Sequence, residues 1–233
     1  MEWNFDSPEN RDNDLTEEYG GKVAIGKTET QKYLGFILSN TGDNMKNITE
    51  MKNKSVWIMN KIFNRLHSLN LKKYFFECAI TFLNIMLRSS ILYAAETYYD
   101  LKETQLRALE RIEEQFLRRL LKTSKGCPIA QLYLEVGHTP ARLEIYHMRL
   151  LFLKTILREA DSRINTFIQL QLEYPTRGDW VSSCLTDLEY LNIKMSLEEI
   201  KNISLKKFKD ILKKSINKKC ARISVTKKRN LGK

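Results

Sequence analysis

Between Gln31 and Leu69 the chain changes its hydrophobic period once, and that change constrains the fold more than any other feature. Tyr33, Leu34, Phe36, Ile37 and Leu38 form a short apolar run around Gly35, closed by the turn residues Asn40-Thr41-Gly42. A run of this length bounded by a turn predicts a buried strand. Beyond it Ile48, Met51, Ser55, Ile58, Met59, Ile62, Leu66 and Leu69 recur at helical spacing. Lys46, Lys52, Lys54, Lys61 and Arg65 spread over the remaining faces. The period predicts a helix over 43–69, about 40 Å long at 1.5 Å per residue. The local design is a strand that feeds a long, basic helix.

Upstream, residues 1–21 are rich in Asp, Glu and Asn without periodicity and are expected to be a disordered acidic tail. Lys22–Ile25 and Gln31–Leu34 flank Gly26–Glu29, which predicts a β-hairpin within 22–42. Downstream, the spacing predicts a helix over 71–95 with Tyr74, Phe75, Cys78, Phe82, Ile85, Met86, Ser89 and Ile91 as its apolar face. So few charges interrupt it that a central position is expected. A third helix, 101–122, places Leu106, Leu109, Ile112, Phe116, Leu120 and Leu121 inward, with Glu103/Arg107 and Glu114/Arg118 as i,i+4 pairs outside. These helices predict a three-helix bundle over 43–125.

A helical connector is expected over 126–175. Pro128 starts a short helix that Gly137 stops. Pro140 starts a long one, with Leu143, Tyr146, His147, Leu150, Leu153 and Leu157 inward, reaching about Ala160 and resuming over 162–173. Residues 176–233 predict a C-terminal helical region with a basic tail. It comprises a helix over Trp180–Leu191, a capping box at Ser196-Leu197-Glu198-Glu199, and a last helix from Leu205 to about Lys218. Cys220–Lys233 is expected to fray. The predicted class is mainly α: a helical bundle with a small N-terminal β-hairpin and additional C-terminal helices.

Charge narrows the partners. The net charge is +11, unevenly placed: residues 1–31 hold eight acids and three bases, while residues 201–233 hold thirteen bases and one acid, Asp210. A tail this basic attracts polyanions, nucleic acid before anionic membrane. Four dispersed cysteines, Cys78, Cys127, Cys184 and Cys220, predict a reducing, intracellular compartment. The acidic start resembles neither a secretory signal nor a transit peptide. The longest apolar stretch, Ala79–Leu87, is too short for a bilayer span, so no membrane partner is expected.

Most catalytic constellations are missing from the sequence. Two-metal nucleotidyl transfer needs convergent carboxylates. There is no Asp-Asp pair, Asp12 and Asp14 sit in the acidic tail, and Glu17-Glu18, Glu113-Glu114 and Glu198-Glu199 read as exposed helix faces. Glu199-Ile200-Lys201 has the letters of a nuclease motif, but at a helix start rather than in a strand. Cys127, His138 and His147 lack zinc-ligand spacing. His147 reads as a core or boundary residue, His67 and His138 as surface or loop residues. Ser124, Cys127 and His138 have no nucleophile-elbow context. Gly26-Lys27-Thr28 lacks the upstream glycine and following helix of a phosphate loop.

The order of the apolar and basic residues resembles a known family. Tyr33-Leu34-Gly35 with Leu38 and Gly42, followed by the Ile48, Met51 and Lys61-Ile62 helix, looks like the end of the palm and the start of the thumb of a reverse transcriptase. The type is that of non-LTR (LINE-type) retrotransposons. The likeness continues through Ile91-Leu92-Tyr93-Ala94-Ala95-Glu96-Thr97, Leu109-Glu110, Leu117-Arg118, Leu132-Tyr133-Leu134-Glu135, Gly137, Pro140, Arg149-Leu150 and Gly178-Asp179-Trp180, covering roughly 32–210. The resemblance implies part of an RNA-directed DNA polymerase, with the catalytic palm and fingers supplied by the parent protein upstream. It implies no cofactor for this part, Mg2+ being needed only by the full polymerase. It implies RNA or RNA–DNA hybrid as partner. Tyr33 and Gly35 would steady the primer end, and Lys46, Lys52, Lys54, Lys61, Arg65, Lys72 and Lys73 would neutralise phosphates. Lys206–Arg229 is a separate candidate for phosphate contact. The alternative is a stand-alone helical adaptor for a protein partner, which exposure of Trp57 or Trp180 would favour. A basic membrane-surface protein is opposed by the scattered charges of the last helix.

Overall fold

The computed structural model describes residues 30–33, 36–39, 44–69, 74–159, 163–176 and 178–229, with side chains characterised up to Ala221 in the last helix. The acidic stretch 1–21, the strand expected over Lys22–Ile25 and the turns at Gly26–Glu29 and Asn40–Gly42 lie outside these residues. The protein is mainly α-helical and divides into two compact units, Met1–Thr49 and Glu50–Lys233.

In the first unit β1 (Thr30–Tyr33) pairs antiparallel with β2 (Phe36–Ser39), Tyr33 opposite Phe36 and Lys32 opposite Ile37. The single strand expected over Tyr33–Leu38 is therefore two strands joined by residues 34 and 35. A short local connection between paired strands costs little chain entropy to close. Helix α1 (Met45–Ser68) begins in this unit. Its Asn47, only 2 % exposed, accepts from the Ile37 N–H and donates to the Ile37 carbonyl, both at 2.7 Å. Antiparallel ladders turn alternate residues away from their partner strand. The Asn47 amide satisfies the open backbone edge at Ile37.

In the second unit the inward stripe of α1 follows its spacing. Met51, Ser55, Ile58, Met59, Ile62 and Leu66 are buried, together with Phe63. Leu69, beyond the helix end, is exposed instead. Phe63 meets Phe116 of α4 (Glu103–Leu121) at 5.1 Å between ring centroids.

The expected 71–95 helix is α2 (Phe75–Phe82), a π-helical stretch (Leu83–Arg88) and α3 (Ser89–Ile91), followed by a 3-10 turn at Ala95–Thr97. Its inward side differs from the expected one. Ala79, Leu83, Leu87 and Ile91 are fully buried, while Tyr74, Ile85, Met86 and Ser89 of the expected face are exposed. A helix apolar on every side carries no phase in its sequence. In an α-helix a row at every fourth residue drifts by about 40° per step. The wider π turn rotates less per residue, which keeps the row of four against the core. By length and composition alone, Phe75–Thr97 reaches what a bilayer span needs.

Helix α6 (Ala141–Arg158) is the hub. It packs against α4, the 3-10 turn, α7 (Arg163–Glu173), α8 (Trp180–Tyr190), α9 (Leu197–Asn202) and α10 (Leu205–Arg229). Its buried Arg149 donates to both Asp187 carboxylate oxygens, at 2.7 and 3.2 Å, and to the Tyr98 carbonyl at 2.6 Å. One guanidinium thus ties three segments, its planar fork matching the carboxylate.

Glu113, expected on an exposed face, is fully buried. It lies four residues after Leu109 and three before Phe116, on the apolar stripe of α4. Its Oε1 sits 3.0 Å from Arg88 Nε, and its Oε2 accepts from the Tyr133 hydroxyl at 3.1 Å and the Ala141 amide at 2.9 Å. His138, read as a surface or loop residue, lies in the loop after Gly137, but its side chain is only 7 % exposed, its Nε2 3.8 Å from the same carboxylate. His147 is half-buried beside Glu144.

Terminal signals act as their residues imply. Gly137 ends α5 (Ile129–Val136) at φ +66°. Ser196 and Glu199 form a reciprocal capping box on α9. Helix α10 runs past the expected end at Lys218, and the stretch from Cys220 expected to fray is helical as far as Arg229. No Gly or Pro occurs between Leu205 and Arg229 to stop it.

Candidate nucleic-acid interface

The cations fall into two sets. Arg88, Arg107, Arg118 and Arg142 are held in ion pairs with carboxylates of α4, and Arg149 with Asp187 of α8. Lys52, Lys54, Lys61 and Arg65 are exposed and make no ion pair among the described residues. Unneutralised, they project their field into solvent, where a polyanion would find it.

Helix α1 positions these side chains by its own periodicity, because burial of its apolar stripe turns the other faces outward. At about 100° per residue, Lys61 and Arg65 lie about 20° to either side of Lys54, so that all three fall within about 40°. Lys54 to Arg65 spans about 16 Å along the axis. Lys52 points to the opposite flank, about 180° from Lys61. The cations, expected to spread over the faces outside the apolar stripe, thus fall on two flanks. Three of them share one flank, and the fourth stands apart.

Trp57 belongs to the Lys61 flank. It is 57 % exposed, with Lys61 Nζ 3.7 Å from its ring centroid. Trp180, by contrast, is packed: its indole N–H donates to the Glu96 carbonyl at 2.8 Å and its ring meets Phe152 edge-on. Below Lys61 and Arg65 lies an open groove of about 520 Å³ between α1 and the α2–π segment, which Asn64, Ser68, Ile62, Phe82 and Met86 also line. Cations at the rim, amide and hydroxyl groups beside them and an exposed ring suit a phosphodiester chain with a stacked base. On the other flank Arg119 donates to Asn60 at 2.8 Å and lies over Phe63.

The remaining expected residues are placed less completely. Lys46 is exposed in the first turn of α1, in the first unit. The Tyr33 backbone is in β1, and its side chain lies outside the described residues, as do Gly35, Lys72 and Lys73. Sequence reasoning missed Asn47, Asn64 and Ser68. The last two follow Lys61 at i+3 and i+7, a spacing that was available to it.

Among the described residues no group of three or more His, Cys, Asp and Glu side chains is arranged to hold a metal ion. Comparison with known proteins returns no matching family model, no matching curated protein and no matching solved structure.

Proposed function

We propose that this chain is the thumb and downstream helical part of a LINE-type reverse transcriptase. It grips a template–primer RNA–DNA hybrid without regard to sequence, while the nucleotidyl-transfer carboxylates belong to the palm of the parent protein. The observation that carries the reading is the Lys54–Lys61–Arg65 flank of α1, which makes no ion pair among the described residues, with exposed Trp57 on the same side and the apolar stripe of the helix buried. Cations aligned on a rigid rod neutralise consecutive phosphates and release counterions.

The test is binding of an RNA–DNA hybrid over a salt series. The log–log slope should approach −0.9 per phosphate contacted. Replacing Lys54, Lys61 and Arg65 by Gln should flatten it by roughly 0.9 for each cation removed. An unchanged slope in that variant overturns the reading.

The exposure of Trp57 also favours a second reading, a helical adaptor whose partner covers that ring. An adaptor predicts hybrid affinity that is weak and insensitive to the three replacements.

A further inference from the structure

Helix α10 carries a second surface of different construction. From Leu205 to Ala221 it has seven lysines and a single acid, Asp210. Taken as rows of every fourth residue, its sides have distinct roles. Phe208, Leu212 and Ile216 are buried, where α10 meets α5 and α6. The row opposite them, Lys206, Asp210, Lys214 and Lys218, is exposed throughout. Beside it runs another exposed row, Lys209, Lys213, Asn217 and Ala221. None of these lysines makes an ion pair among the described residues. Lys219 alone is engaged, 4.4 Å over the Tyr190 ring.

This arrangement stores repulsion. Lys209/Lys213 and Lys214/Lys218 are like-charged i,i+4 neighbours, which oppose the helix that holds them, and the single carboxylate, Asp210, offsets this beside Lys206 and Lys214. An array of phosphates would relieve that repulsion. From Lys206 to Lys218 the row extends about 18 Å along the axis.

The geometry points to α10 as a docking surface for the phosphate backbone of a nucleic-acid duplex, independent of base sequence and separate from α1. An anionic membrane fits less well. A helix lying in a bilayer surface must sink an apolar face, and the apolar side of α10 is already spent on the bundle. An acidic protein fits less well too. Such interfaces centre on buried apolar or aromatic anchors, and the two outward rows contain none.

The test replaces Lys209, Lys213, Lys214 and Lys218 by Gln in the full chain, with the same four positions as Arg for comparison. Binding is measured across a salt series to two mixed-sequence duplexes of unrelated sequence, to vesicles containing phosphatidylserine, and to polyglutamate. The Gln variant should lose slope by roughly 3.6, at about 0.9 per lysine. The loss should be equal on both duplexes, and the Arg variant should keep the slope. Helical circular dichroism should be unchanged, since the altered side chains are exposed. An unaltered duplex slope overturns the inference. So does a loss confined to vesicles, which would assign the surface to membrane, or to polyglutamate, which would assign it to a protein. The α1 variant run on the same duplexes separates the two surfaces, because either set of replacements can fail while the other succeeds.

Discussion

At the scale of single residues, the most consequential finding is a charge in the wrong place for its sequence neighbourhood. Glu113 sits beside another glutamate and reads as solvent-facing, yet four partners converge on it. Glu113→Ala would take from Arg88 its nearer carboxylate, leaving only Glu144 at 3.8 Å, and would orphan the Tyr133 hydroxyl and the Ala141 amide. A loss of about 3–5 kcal/mol is expected in denaturant unfolding; a loss below about 1 kcal/mol would mean that water replaces the carboxylate. Asp179 supplies a pH-dependent counterpart. Burial pushes its carboxyl up, but the Ser182 amide at 2.6 Å and the Thr176 amide at 2.9 Å prevail and hold it below its ordinary value. A depressed folded value contributes stability that is present above the unfolded value of about 3.9, and that is lost as pH falls through the folded value. Asp179→Asn keeps an N-cap that does not titrate, so its stability difference from the parent should shrink on acidification. Asp179→Ala should cost about 1 kcal/mol at neutral pH.

At the scale of elements, α1 and the α2–π segment show how far periodicity reaches. Helix α1 alternates apolar and charged residues cleanly, so its buried stripe and exposed cations were legible from spacing alone. The division of those cations between two flanks follows from the same spacing. Lys52→Gln should therefore leave the hybrid salt slope unchanged where Lys61→Gln lowers it by about 0.9; equal effects would mean that the whole circumference of the helix is contacted. The α2–π segment has apolar residues all round, and nothing local chooses which side turns inward. The packing of Ala79, Leu83, Leu87 and Ile91 made that choice. The hairpin depends on Asn47, a polar residue inside a helical start. Asn47→Ala removes both side-chain bonds to Ile37, each worth about 0.5–1.5 kcal/mol. Hydrogen exchange of the Ile37 amide should accelerate accordingly, and unchanged exchange would show that the β-pairing holds the strand without it.

At the scale of the whole molecule, net charge and a single hub helix set the behaviour. An excess of eleven positive charges repels itself in the compact state. Raising NaCl from about 0.01 to about 0.1 M shortens the Debye length from about 30 to about 10 Å, and Tm should rise over that range; a flat response would mean that the internal Arg–carboxylate pairs offset the surface repulsion. The sequence by itself determined that the chain is mainly helical, where the glycine, proline and Ser-x-x-Glu signals start and stop helices, and which side of α1 is dry. These are local properties, written in residues within one or two turns of each other. Only the tertiary structure decided that Glu113 and His138 are interior, that Arg149 joins α6 to Asp187 and Tyr98, and that the outer side of the α2–π segment remains uncovered. It also decided that Arg88, Arg118, Arg142 and Arg149 pair with carboxylates, while Lys52, Lys54, Lys61 and the outward lysines of α10 make no ion pair among the described residues. Each of these outcomes depends on which distant side chain arrives opposite, and burial or neutralisation of a charge is a property of that meeting rather than of the segment that carries it.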